Sequence, residues 1–270
     1  MQLSLTERDQ QAIWHPYTQH KNMTFPIPIT RGEGVLLFDE HGSAYIDAIS
    51  SWWVNIHGHA HPYIAEKIYE QAKKLEHVIF TGFTHEPAVQ LAERLLAILP
   101  GNMSKIFYSD NGSTAVEVAI KMAIQYWRNQ DMEEQGTRDK GQGTRNKILA
   151  FRHSYHGDTF GAMSVSERGV FTAAFNDYLF EVIFIDTPTT TNLEDLKKTI
   201  AKYSSEISCF IYEPLLQAAG GMRIYDAGMF DELLAVIRSQ NIICIADEVM
   251  TGFGRTGKLF AGEYMKNKPD

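Results

Sequence analysis

Three stretches concentrate side chains that could do chemistry. The first, "ADEVMTGFGRTG" (246–257), joins the acidic pair Asp247-Glu248 to Gly252, Gly254 and Gly257 in the spacing G-x-G-x-x-G. That spacing suits a dinucleotide turn, but such a turn joins its strand directly to a helix and is followed by an acidic residue about 20 positions later. Here "VMT" intervenes before the first glycine, and 13 residues follow Gly257. The acid is the more informative feature. A buried carboxylate is costly unless paired, so Asp247, closing the apolar run "IICIA", is expected to meet a cationic partner in a site. The bland alternative is an acid exposed at a strand end.

The second stretch, "YSDNGSTAVEVAIK" (108–121), places Gly112, Ser113 and Thr114 where a helix begins. Unpaired amides and the helix dipole favour an anion such as a phosphate there. Taken alone, the stretch reads more readily as an ordinary N-cap after a turn. The third, "FRHSYHGDTFGAMS" (151–164), packs His153, Tyr155, His156 and Asp158 into six positions after an apolar strand. Alone it reads as a polar loop, although open α/β sheets place ligands at this end of their strands. Together the three supply a phosphate subsite, an aromatic for stacking and an acid for a pyridinium nitrogen, which is what pyridoxal phosphate requires.

The elements that must position these residues follow from the apolar pattern. "KIFYS" (105–109), "KILAF" (147–151), "EVIFID" (181–186), "SCFIYEP" (208–214) and "IICIADE" (242–248) read as strands. Helical spacing appears in "PYIAEKIYEQAKKLEHV", "EPAVQLAERLLAIL" with Pro87 near its start, "STAVEVAIKMAIQYWRNQ", "NLEDLKKTIAKY" and "AGMFDELLAVIRSQ". Short apolar strands alternating with helices predict an α/β fold, a mostly parallel sheet covered on both faces. "VLLFDEHGSAYIDAIS" predicts a hairpin turning at "DEHGS", outside that sheet. The polar, glycine-dotted "DMEEQGTRDKGQGTRNK" (131–147) is expected to be a mobile surface loop. The expected organisation is residues 1–55 as a segment of a small domain and 56–270 as a large cofactor-binding domain lacking its C-terminal end.

Composition narrows the function classes. Hydrophobic residues make up 44% and net charge is −8, with no long basic run, which argues against nucleic acid as the main partner. The polar start and the lack of a membrane-length apolar run point to a soluble, cytoplasmic protein. Cys209 and Cys244 lie in apolar runs and read as buried thiols. His57, His59 and His61 alternate in "HGHAHP" but lack a second ligand cluster, so no metal is expected.

The ordered motifs "SDNGSTAVEVAIKMA", "SYHGDTFGAMS", "EPLLQAAGG" and "ADEVMTGFGRTGKLFA" resemble the class III aminotransferases, pyridoxal-phosphate enzymes of fold type I. "WHPYTQ" (14–19) and "SSWWVNIHGHAHP" (50–62) resemble the subgroup that serves biotin biosynthesis. The resemblance implies that Gly112 and Ser113 hold the cofactor phosphate, Tyr155 stacks on its ring, Asp247 pairs with its nitrogen and Val249 packs on the opposite face. It implies that Tyr17, Trp52 and Trp53 line a pocket for 8-amino-7-oxononanoate, an aliphatic keto acid, and for the sulfonium donor adenosylmethionine. Asp158 would meet a substrate amino group, and Glu213 and Arg255 would pair near the cofactor. Met250 stands where the wider family often has glutamine. The catalytic lysine is expected about 30 residues beyond Asp247, past Asp270, because Lys258, Lys266 and Lys268 come too early. A homodimer with shared active sites is implied as well. The alternatives are a class III enzyme acting on an ω-amino acid such as ornithine or 4-aminobutyrate, a non-catalytic relative of the fold, and, most distantly, a dehydrogenase.

Overall fold

The computed structural model describes residues 3–100, 102–135 and 145–270. The chain divides into two compact units, Met1–His85 and Glu86–Asp270.

The first unit opens with α1 (Leu5–Ala12), which starts at a reciprocal cap: the Ser4 hydroxyl accepts from the Glu7 N–H, and the Glu7 carboxylate accepts from the Ser4 N–H. Strands β1 (Ile29–Glu33), β2 (Leu36–Asp39) and β3 (Ala44–Ile46) form an antiparallel sheet in that order. The hairpin predicted around "DEHGS" is present. Asp39 Oδ1 accepts from the N–H groups of His41 (2.9 Å) and Ser43 (2.8 Å), which closes the turn. A single turn, α2 (Ser50–Trp53), and the helix α3 (Pro62–Lys74) complete the unit. Gly34 and His59 exchange backbone hydrogen bonds of 3.2 and 2.7 Å, which tie the segment around His59 to the N-terminal sheet.

The second unit runs α4 (Glu86–Leu96), α5 (Gly112–Gln135), β4 (Lys147–Phe151), α6 (Phe160–Ser164), β5 (Val182–Ile185), α7 (Leu193–Tyr203), β6 (Ile207–Tyr212), the short antiparallel pair β7 (Leu216–Gln217) and β8 (Arg223–Ile224), α8 (Ala227–Ser239) and β9 (Ile243–Ala246). Its central sheet is parallel, in the order β5-β4-β6-β9. Residues alternate between faces along a strand. Leu149, Phe151, Phe210 and Tyr212 therefore pack with α7 and α8 through Ile200, Phe230 and Leu233. Ile148, Ala150, Cys209 and Ile211 pack on the other face with Val116, Ile120 and Ala123 of α5 and Ala162 of α6. The predicted two-sided α/β sheet is thus observed.

Two expectations need correction. Residues 105–109 form no strand; an apolar run becomes one only where its amides meet a neighbouring ladder, and among the described residues none pairs with it. Helix α5 runs on to Gln135, so residues 131–135 of the expected loop are helical. The rest of that loop, 136–144, lies outside the described residues. Cys209 and Cys244 are buried and free, and burial pushes both thiols up to about 12. Among the described residues no helix is long and apolar enough to cross a membrane.

Candidate functional site

Strands β4, β6 and β9 end side by side, and the residues that follow them meet the start of α5. Parallel pairing makes this inevitable, because all carboxyl ends lie on one edge of the sheet. Asp247 follows β9, with its N–H donating to the Tyr212 carbonyl at 2.8 Å. Its side chain is only 7% exposed, and Oδ2 lies 2.7 Å from His156 Nδ1 on a fully buried imidazole. Oδ1 accepts from the Val249 N–H at 3.1 Å. The neighbouring acid points elsewhere. Glu248 accepts from the N–H groups of Ala261 (2.7 Å) and Gly262 (2.8 Å), shaping the following loop, while burial raises its carboxyl above the usual range. Gly252 belongs to this loop as well, since a Cβ there would stand 2.8 Å from the Glu248 carbonyl oxygen. The glycines build a turn, not a nucleotide cradle.

The start of α5 carries the second group. Asn111 Oδ1 accepts from the Thr114 N–H at 3.0 Å, and the Thr114 hydroxyl accepts from the Asn111 N–H at 3.2 Å. Among the described residues the N–H groups of Gly112 and Ser113 meet no acceptor. Two free donors at a helix N-terminus suit an anion. A Cβ on Gly112 would lie 3.1 Å from Val249 Cγ2, so any side chain at 112 would fill the space between the helix start and Val249.

The loop after β4 joins the two. Gly157 has φ +129°, and a Cβ there would stand 2.1 Å from the Ser113 hydroxyl oxygen, so only glycine lets the loop pass the helix start. The Ser113 hydroxyl accepts from the Asp158 N–H at 3.2 Å, and the Tyr155 hydroxyl donates to Asp158 Oδ2 at 2.8 Å. Glu213, following β6, fixes the loop from below: its two oxygens accept from the N–H groups of Tyr155 (2.9 Å) and Ala218 (3.0 Å). Burial raises the Glu213 carboxyl above its ordinary value, offset in part by the His156 ring and these two N–H groups.

Gly112, Ser113, Tyr155, Asp158, Asp247 and Val249 are therefore gathered at one place in the second unit. Arg255 is exposed, with Nε donating to the Met250 carbonyl at 2.9 Å; the partners of Glu213 are the two backbone amides rather than Arg255. In the first unit Tyr17 and Trp52 meet edge to face, with ring centroids 5.5 Å apart, and Trp53 is half-buried beside Trp52 in α2. Sequence reasoning missed the role of His156. Its Nδ1 meets Asp247 and its Nε2 is buried with no partner among the described residues. It also missed Glu117, whose Oε1 accepts from the N–H of Gly161 at 2.7 Å and so holds the start of α6. Glu117 follows Gly112 by five residues on α5, a spacing that could have been noticed.

The residues fit a flat, phosphorylated, nitrogen-bearing ring. They offer anion donors at Gly112 and Ser113, an exposed aromatic at Tyr155, an exposed aliphatic at Val249 and a held carboxylate at Asp247.

Residues 17–270 match the family model for aminotransferase class-III. The adenosylmethionine-8-amino-7-oxononanoate aminotransferase of Synechococcus elongatus is 47% identical over 268 residues, covering 96% of this chain and 61% of that relative. The crystal structure of the enzyme of the same name from Methanocaldococcus jannaschii superposes with a TM-score of 0.88 at 38% identity, covering 96% of this chain and 57% of that one. The omega transaminase of Pseudomonas jessenii in complex with PMP gives a TM-score of 0.88 at 28% identity, covering 99% of this chain and 61% of that one. The chain thus spans 57–61% of the length of these relatives.

Proposed function

The chain belongs to the class-III aminotransferases, and from that premise we propose that it holds pyridoxal phosphate for transfer of an amino group from adenosylmethionine to 8-amino-7-oxononanoate, giving 7,8-diaminononanoate in biotin biosynthesis. The observation that carries the reading is the convergence of the α5 start, with its acceptor-free Gly112 and Ser113 N–H groups, the Tyr155–Asp158 loop and Asp247 on one edge of the sheet.

The cofactor, when bound, supplies an electron sink for the carbon that bears the transferred amine. The N–H groups of Gly112 and Ser113 receive its phosphate, where the helix dipole adds to their attraction. Tyr155 and Val249 cover the two ring faces. Asp247 keeps a proton on the ring nitrogen, and the His156 imidazole keeps the Asp247 carboxylate in place. Tyr17, Trp52 and Trp53 are assigned to the apolar chain of the keto acid and to the donor sulfonium, and Asp158 and Arg255 to the polar groups of the substrates. The proton-shuttling lysine is assigned beyond Asp270. Lys258 and Lys268 are bonded to backbone carbonyls, at Glu263 (3.1 Å) and at Met265 (2.6 Å) respectively. A cytoplasmic homodimer completes the proposal.

The full-length protein, supplied with pyridoxal phosphate, adenosylmethionine and 8-amino-7-oxononanoate, is expected to form 7,8-diaminononanoate, detected by mass spectrometry. Turnover of ornithine or 4-aminobutyrate with the keto acid left untouched would reassign the substrates to ω-amino acids.

A further inference from the structure

Ser50, Ser51, Trp52 and Trp53 take φ values of 50°, 47°, 66° and 68° in succession. Four consecutive left-handed residues without a glycine are rare for L-amino acids, and such a run persists only where its surroundings dictate it. Here the surroundings are specific. Asp47 Oδ1 accepts from the Ser51 N–H at 2.9 Å and Oδ2 from the Ser51 hydroxyl at 2.8 Å. Oδ2 also lies 2.7 Å from His59 Nε2, in a pair whose side chains are 6% and 15% exposed. Asn55 Nδ2 lies 3.4 Å from His59 Nδ1. The two ring nitrogens of His59 thus face Asn55 and Asp47. The His59 backbone is itself fixed to Gly34 by two hydrogen bonds, and a Cβ on Gly32 would stand 2.7 Å from the His59 Cβ. A continuous chain of contacts therefore runs from the antiparallel sheet through His59 and Asp47 to Ser51, and the next residue, Trp52, meets Tyr17.

We propose that His59 and Asp47 are positioning residues for substrate recognition: they hold the left-handed turn that presents the Trp52 ring against Tyr17. This gives the histidine loop a purpose that is neither catalytic nor metal-binding. It rests on the assignment of Tyr17 and Trp52 to the keto-acid substrate.

The test uses the full-length holoenzyme, read by KM and kcat for 8-amino-7-oxononanoate and by the near-ultraviolet circular dichroism of its tryptophans. His59→Ala is expected to raise KM about tenfold with kcat changed by less than about twofold, the signature of lost binding rather than lost chemistry. It should also change the tryptophan spectrum. His59→Gln, whose amide can still donate to Asp47, should recover KM to within about threefold of the parent. Asp47→Ala should behave like His59→Ala, and adding Ser51→Gly should recover part of the loss, because glycine adopts positive φ freely. A KM unchanged by His59→Ala, or a glutamine no better than alanine, overturns the proposal. Trp52→Ala separates the two layers. If it leaves KM unchanged, the substrate assignment falls and the role in recognition with it, and the tryptophan spectrum of His59→Ala reports separately on the turn: a parental spectrum shows that His59 does not hold it, and a changed one shows that it does.

Discussion

Replacing His156 with alanine removes the partner of a carboxylate that has little access to water. Asp247 has a 7% exposed side chain, and its contacts are His156 Nδ1 at 2.7 Å and the Val249 N–H at 3.1 Å. Breaking a buried pair by deleting one member costs about 3–5 kcal/mol, because the other charge is left uncompensated. One N–H bond survives here and the acid sits at a strand end, so the lower figure of about 3 kcal/mol applies. With a urea m-value of about 2 kcal/mol/M, the unfolding midpoint should fall by about 1.5 M. The assay is equilibrium urea unfolding followed by far-ultraviolet circular dichroism, on His156→Ala, Asp247→Asn and the double variant. Residues in direct contact show coupling of about 0.5–3 kcal/mol, and this pair should lie in the upper half of that range. His156→Gln, which can still donate a hydrogen bond, should recover part of the loss. A midpoint unchanged by His156→Ala, or additive effects in the double variant, would refute the reasoning that the two side chains form one buried unit.

Three further outcomes follow from single contacts. Gly157→Ala, with its Cβ 2.1 Å from the Ser113 hydroxyl at a φ of +129°, should weaken pyridoxal phosphate binding by at least about tenfold, read by fluorescence titration. Cys209 and Cys244, both buried with thiols pushed up to about 12, should stay unlabelled by a thiol reagent at neutral pH and label together on denaturation. Asp47 is held at about 2, chiefly by the Ser51 N–H, then by the Ser51 hydroxyl and His59, against an ordinary 3.8. Its native form thus binds a proton less readily than its unfolded form, so its stabilisation is present above pH 3.8 and lost as pH falls through 2; Asp47→Asn should remove that part of the acid slope in a pH series of thermal melts.

Much of the second unit was legible because its physics is local. The runs at 147–151, 208–214 and 242–248 are apolar enough to be buried on both faces, and the structure places β4, β6 and β9 there. Once those strands are parallel, their following residues must share an edge, which is why Tyr155, Asp158, Asp247 and Val249 gather there. Residues 105–109 carry the same apolar signature yet form no strand, because pairing depends on a neighbour that periodicity cannot supply. His156 was hidden for a related reason. In "SYHGDT" nothing distinguishes an inward histidine from a solvated one; the fully buried ring is set by the loop's path across Gly157 and by the Ser166 hydroxyl that accepts from the His156 backbone N–H. The left-handed turn at 50–53 contradicts local propensity outright, since serine and tryptophan favour negative φ. It is legible only through the hydrogen bonds of Asp47 to Ser51 and His59.

The most direct test of the account is the protonation of the cofactor's ring nitrogen. Pyridoxal phosphate labelled with ¹⁵N at that position, bound to the full-length protein, should give the shift of a protonated pyridinium across the neutral range. Asp247→Asn, which removes the charge while keeping the shape, should return the nitrogen to its neutral shift. A neutral nitrogen in the parent protein, or a protonated one that persists without the Asp247 carboxylate, would contradict the assignment of Asp247 as the group that holds this proton.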